Sequence, residues 1–229
     1  MKPTPHPSPN FGERRDGVIP DMVVLHYTAM DSATAALDWL CTPEAEVSAH
    51  YLISEGGEVF SLVPEDMRAW HAGAGRWGMV TDVNSRSIGI EIANTGFVPF
   101  PEPQMVALEG VLHDIMRRWA IQPERIIGHS DMAPGRKIDP GLRFDWRRLA
   151  LGGLSVWPKD GKMGKPDEVA FADALRAFGM TSDASPETLL AAFRLRFRPW
   201  GRGPLDGVDM AQAIDLAMRY PVDQLPLTS

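Results

Sequence analysis

Apolar residues recur along this chain with two periods, one suited to strands and one to helices. Met22 to Thr28 reads MVVLHYT, an unbroken β-branched run of strand length whose continuity predicts burial on both faces. Residues 87–94, SIGIEIAN, alternate instead, with Ile88, Ile90 and Ile92 on one face and Gly89, Glu91 and Ala93 on the other. Glu91 therefore stands between two small residues. The segment AHYLISEGGEVFSLV predicts a hairpin around its Glu-Gly-Gly-Glu turn, and Ile126 to Ser130 (IIGHS) a short strand. Helical spacing appears over residues 32–40, with Asp31 or Ser32 as N-cap. It returns over 103–121, where Leu108, Leu112, Ile115, Met116 and Trp119 form one stripe, and in the short segment FDWRRLA.

Between these elements the pattern lapses. Residues 1–20, rich in Pro and polar groups, are expected to form an extended arm. Residues 65–86 hold Trp70, Gly73, Gly75, Trp77 and Gly78 without a period and are expected to form a long loop, a common seat of function. Residues 159–166, within WPKDGKMGKP, have linker composition and divide a main domain at 21–158 from a segment at 167–229. That last segment carries three short helical patterns, near 167–179, 186–198 and 208–219.

Composition narrows the function classes. The chain has 229 residues, enough for one full core and a small second unit, with 44% apolar and 23% charged residues. A net charge of −7 argues against a nucleic-acid partner, which calls for a basic face. A single cysteine, Cys41, excludes an intramolecular disulfide framework and a zinc ribbon. The N-terminal MKPTPHPSPNFGERRDG lacks the apolar run of about 7–15 residues that an export signal needs. No stretch approaches the roughly 18 apolar residues of a membrane span. The expectation is a soluble, monomeric, cytoplasmic protein, or a periplasmic one if a leader has been removed.

Six histidines raise the question of which can converge. His26 and His129 each sit near the end of an apolar strand, where a side chain can be presented on a rigid support. A half-buried histidine bonded to a backbone carbonyl fits either position equally well. His129 has informative company in GHSDMAPGRKIDPG: Asp139 follows ten residues on, and Lys137 shares its side if the segment is extended. Such a group is either a salt-bridge motif or a metal ligand beside an oxyanion-stabilising charge. Two imidazoles and a carboxylate leave an open zinc position, the arrangement of catalytic rather than structural sites. Amide hydrolysis there needs a proton acceptor, for which Glu91 is the best placed, although a solvent-facing carboxylate on an edge strand has the same pattern. Lys137 reads either as a surface lysine or as an oxyanion partner, a type of contribution worth about 3–4 kcal/mol.

The strand VVLHYTA, the VSAHYLIS hairpin with EGGEV, RAWHAG, NSRSIGIEIAN and GHSDMAPGRKIDPG together resemble the zinc-dependent N-acetylmuramoyl-L-alanine amidase family, in order over about residues 20–158. The resemblance implies an α/β fold with a mixed central β-sheet flanked by helices, and one Zn²⁺ held at His26, His129 and Asp139. It implies catalytic roles for Glu91 and Lys137, and a muropeptide or peptidoglycan substrate cleaved between N-acetylmuramic acid, or its 1,6-anhydro form, and L-alanine; the alternatives are a non-catalytic muropeptide-recognition protein and a phage-type lytic amidase acting on intact cell wall. His50, Trp70, His71, Asn84 and Ala133 are the substrate-binding positions it suggests, with loop packing an equal reading for His71. Phage members carry a catalytic tyrosine where this chain has Ala49, which shifts weight onto Glu91. The C-terminal stretch AAFRLRFRPWGRGPLDGVDMAQAIDLAM resembles a three-helix peptidoglycan-binding module, or is a helical extension that stabilises the main domain. Its Arg194, Arg196, Arg198 and Arg202 are expected to form a basic patch, either a peptide-carboxylate contact or a solvated face.

Overall fold

The computed structural model describes residues 2–159, 161 and 164–223, so Asp160, Lys162 and Met163 of the expected linker and the last six residues of the C-terminal segment lie outside the described part. In chain order the elements are β1 (Thr4–Pro5), β2 (Phe11–Glu13), β3 (Met22–Tyr27), α1 (Ala33–Leu40), β4 (Tyr51–Ile53), β5 (Val59–Ser61) and β6 (Met67–Ala69). There follow α2 (Val83–Arg86), β7 (Ser87–Ile92), α3 (Glu102–Trp119), β8 (Ile126–Gly128), α4 (His129–Met132) and α5 (Trp146–Leu151). The helices α6 (Glu168–Phe178), α7 (Pro186–Phe197) and α8 (Gly207–Arg219) complete the described chain.

Six strands form one mixed sheet in the order β1-β5-β4-β7-β3-β8. Strands β4, β7, β3 and β8 run parallel, while β5 returns antiparallel to β4 through the Ser54–Glu58 turn, where Gly57 adopts a φ of +85°. The apolar runs explain this order. Strand β3 lies between β7 and β8 and is buried on both faces, as its continuous hydrophobicity demands. On one face Val23 and Leu25 join Ile88, Ile90, Ile92 and Ile126 beneath Leu108, Leu112 and Ile115 of α3. Burial of each such side chain contributes about 1.5–3 kcal/mol. The buried Gln104 ties α3 to the sheet by donating to the carbonyls of Ile53, Ser54 and Ala93.

The opposite face is shared by two apolar clusters. Met22, Val24 and Ile127 pack with Phe171, Phe193 and Phe197 of the C-terminal helices, and Leu52 packs with Ala36, Leu37 and Leu40 of α1. His26 and Glu91 face the same side, at the carboxyl ends of their strands, where open α/β sheets present ligand sites.

Four local expectations change. The 126–130 strand stops at Gly128, and His129 opens one helical turn in its place. Residues 65–86 are not structureless, since they contain β6, paired antiparallel with β2, and the turn α2 capped by Asp82. The N-terminal arm is sewn onto the domain: β1 joins β5, Ser8 Oγ donates to Leu40 O at 2.5 Å, and Asn10 Nδ2 donates to Thr42 O and Val47 O at 2.9 Å. Arg14 is buried and donates to the carbonyls of Glu65, Asn84, Ser85 and Ser87.

The fourth correction concerns Arg194 and Arg196 of α7 with Arg198 and Arg202 just beyond it, which form no basic patch. Arg196 is only 1% exposed and bonds Asp131 of α4 at 2.5 Å, Ile126 O at 3.0 Å and Ser155 Oγ at 3.1 Å. Arg194 pairs with buried Asp209, and Arg198 with Asp206 and Asp209. Among these four, only Arg202 is exposed. Their counter-ions lie elsewhere in the sequence, which a local charge count does not register.

Candidate active site

Parallel pairing places His26 of β3 directly beside Glu91 of β7, and β8 delivers His129 at its carboxyl end. Asp139 returns to the same point from the loop after α4. His26 Nδ1 lies 2.9 Å from His129 Nδ1 and 2.9 Å from Asp139 Oδ2, and His129 Nδ1 lies 3.0 Å from the same oxygen. All three side chains are buried, with one ligand atom from each within 4.8 Å of the others.

The outer nitrogens of the two imidazoles are engaged as well. His26 Nε2 lies 3.0 Å from His71 Nδ1, and His129 Nε2 lies 2.8 Å from Ala72 O. Burial, reinforced by crowding from His129, lowers the His26 pKa to about 4 against the pull of Asp139. Burial alone would raise Asp139; hydrogen bonds from His129 and His26 outweigh it and hold that carboxyl well below the ordinary carboxylate range.

Glu91 lies in the floor of this cluster, on a central strand rather than a sheet edge. Its Oε2 is buried and has no hydrogen-bond partner among the described residues. Burial, and then the charge of Asp139, push its pKa well above the usual carboxylate value, while Lys137 pulls the other way. Lys137 is exposed and lines the same cavity, which encloses about 500 Å³. Its wall continues through Met30, Ala36, Trp39, Leu40, Val47 and Trp70, an apolar groove leading away from the histidines.

The remaining expected positions divide. Trp70 and His71 line the cavity, whereas His50, Asn84 and Ala133 do not and are buried behind it. Asn84 holds the cavity wall, its Oδ1 accepting from the backbone N–H of His71 at 3.1 Å and of Ala72 at 2.8 Å. His50 Nδ1 accepts from Gly89 N at 2.9 Å, while its Nε2 faces Met67 O at 3.1 Å. Ala49 is fully buried and brings no polar atom to the place of the phage tyrosine.

Three contributors escape motif reading: Gly89, Arg136 and Ser87. A Cβ at Gly89 would lie 2.4 Å from the His71 ring, so only glycine leaves room for that imidazole. Arg136 lines the cavity and donates to Ala72 O at 2.7 Å, and Ser87 Oγ lies 3.2 Å from His71 Nε2. The small residues flanking Glu91 were the one available signal, since in a buried strand they mark a surface against which another group lies.

The neutral burial of His50 has a measurable consequence. Desolvation, and then the charge of Arg14, lower its pKa to about 3, compared with about 6.5 in an unfolded chain. Between those values the unfolded chain binds a proton that the folded one refuses, so this contribution is complete above pH 6.5 and is lost as pH falls towards 3. The expected slope approaches about 1.4 kcal/mol per pH unit for this one group. Urea midpoints of metal-free protein at pH 7 and 4.5 should converge more in His50→Gln than in wild type; equal pH dependence would count against it.

Known proteins are similar to this chain in sequence and in fold. Residues 15–142 match the family described as N-acetylmuramoyl-L-alanine amidase. The chain is 34% identical over 223 residues to the N-acetylmuramoyl-L-alanine amidase AmiD of Escherichia coli (strain K12), a match covering 90% of this chain and 67% of that protein. It is also 34% identical over 160 residues to the 1,6-anhydro-N-acetylmuramyl-L-alanine amidase AmpD of Enterobacter cloacae, covering 62% of this chain and 86% of that one. The solved complex of E. coli AmiD with the substrate anhydro-N-acetylmuramic acid-L-Ala-D-γ-Glu-L-Lys superposes with a TM-score of 0.81 at 31% identity, over 93% of this chain and 99% of that chain. Among the described residues no helix is long and apolar enough to cross a membrane. With the fold, the converging triad and these likenesses in agreement, the chain belongs to the N-acetylmuramoyl-L-alanine amidase family.

Proposed function

We propose that the chain hydrolyses the amide bond between N-acetylmuramic acid, or its 1,6-anhydro form, and L-alanine in peptidoglycan fragments, with one zinc ion held by His26, His129 and Asp139. The donor set fits that ion. Ligand atoms about 2.0–2.1 Å from a tetrahedral zinc stand about 3.3 Å apart, and those of the triad lie 2.9 and 3.0 Å apart. Three protein ligands leave one position open, as catalytic zinc sites do. When bound, zinc polarises a carbonyl and lowers the pKa of water to about 7.

The chain's own groups supply the remainder. Glu91 Oε2, unpartnered and of high proton affinity, takes a proton from water and returns it to the leaving amine. Lys137 brings its positive charge to the oxygen that becomes anionic. The apolar groove past Trp39 and Trp70 excludes water from one side of the substrate and binds its non-reacting parts.

The observation that carries this reading is the unsatisfied Glu91 oxygen beside the converged triad. A buried carboxylate without a partner costs stability and persists where it has work to do. Mass spectrometry of products from paired MurNAc- and anhydroMurNAc-peptides, with and without chelator, tests it. Release of the L-alanyl peptide, abolished by chelator and restored by zinc, is expected; binding without cleavage would overturn the proposal.

A further inference from the structure

We propose, resting on the zinc reading above, that His71 is a positioning residue that decides which nitrogen of His26 is free to bind the metal. The argument follows one hydrogen-bond chain whose direction is set at its far end. Val83 O can only accept, so Ser87 Oγ, 2.6 Å away, donates to it. The Ser87 oxygen is then left to accept from His71 Nε2 at 3.2 Å. With its proton on Nε2, His71 presents a bare Nδ1, which accepts from His26 Nε2 at 3.0 Å. Without metal, Asp139 Oδ2 competes for a proton on His26 Nδ1 at 2.9 Å; with zinc in place of that proton, the His71 contact holds His26 as the Nε2–H tautomer and leaves Nδ1 to the ion.

The second imidazole is oriented from the adjacent residue of the same loop. Ala72 O, 2.8 Å from His129 Nε2, is another acceptor without a proton to give and favours the Nε2–H form when zinc takes Nδ1, while Arg136 Nη2, 3.2 Å from the same nitrogen, is already engaged with Ala72 O. Residues 71 and 72 thus set both metal-facing nitrogens, and the Asn84 side chain fixes both residues by accepting from their N–H groups. The Gly89 backbone supplies the flat surface against which the His71 ring lies. Such outer partners typically change metal affinity about 10–100-fold when removed.

The test compares His71→Leu, which removes the acceptor, with His71→Asn, whose amide oxygen can take the place of Nδ1. Zinc dissociation constants come from competition with a chromophoric chelator, and the visible spectrum of the cobalt(II)-substituted protein reports ligand geometry. His71→Leu is expected to bind zinc about 10–100-fold more weakly with an altered cobalt spectrum, and His71→Asn to recover most of both. A folded His71→Leu protein with wild-type affinity and spectrum would overturn the proposal, as would equal losses in the two variants, which would mark the ring as a space filler. Should His71→Leu fail to fold, Ser87→Ala cuts the chain at its far end while keeping the ring; it is expected to weaken zinc binding, and unchanged affinity would overturn the proposal. A wild-type protein that takes up no zinc overturns instead the metal reading on which this rests.

Discussion

Exchange of Glu91 for glutamine is expected to lower kcat by about 10²–10⁴, the usual share of a positioned general acid–base, while zinc content stays at one per chain. The substitution keeps the shape of a side chain flanked by Gly89 and Ala93 but removes the group that accepts and returns the proton. It also replaces a carboxylate with one buried, unpartnered oxygen by a neutral amide, so the variant should melt no lower than wild type. Loss of turnover without loss of stability separates a chemical role from a structural one. Turnover within a few-fold of wild type, measured on an anhydroMurNAc-peptide with metal analysis of the same sample, would remove Glu91 from the mechanism.

The second large effect is expected far from the chemistry. Arg196→Ala leaves Asp131 buried without its counter-charge, a change that costs about 3–5 kcal/mol. The Arg196 guanidinium also lies 4.3 Å from the centre of the Trp146 ring and 4.8 Å from that of Phe197, and these contacts go with it. For a chain of this size each kcal/mol moves Tm by roughly 2–4 °C, so a drop on the order of 6–20 °C is predicted. Asp131 Oδ2 additionally accepts from Gly128 N at 2.8 Å, at the turn that presents His129. Asp131→Asn in the Arg196→Ala background should therefore recover much of the loss, because the buried charge is gone and the acceptor remains. A calorimetric scan showing less than about 2 °C of change in Arg196→Ala would refute this account.

What could be read from residue order divides along physical lines. Strands β3 and β7 announce themselves because burial on both faces, or on one, writes a period into consecutive residues, and α3 does the same with its stripe. The ligand positions were open when taken singly: His26 alone is indistinguishable from a packed strand histidine. The resemblance carried by several motifs in register points to a ligand role, and the fold brings His26, His129 and Asp139 within hydrogen-bonding distance of one another. The roles of Asn84, Ser87 and Ala72 stayed out of reach because they act through single hydrogen bonds across loops, which leave no periodic trace. Arg196 misled for a related reason. It stands in a run of cationic residues, and its partner Asp131 is 65 positions away.

The way the first twenty residues are sewn down bears on colloidal behaviour. Strand β1 covers β5, which would otherwise lie at the sheet's edge, and Arg14 satisfies carbonyl oxygens from two separate stretches of chain. A polypeptide trimmed to residue 21 would present a bare strand edge beside unsatisfied acceptors, the template on which a second molecule can pair. Self-association, more than loss of catalysis, is the hazard that this short arm holds in check.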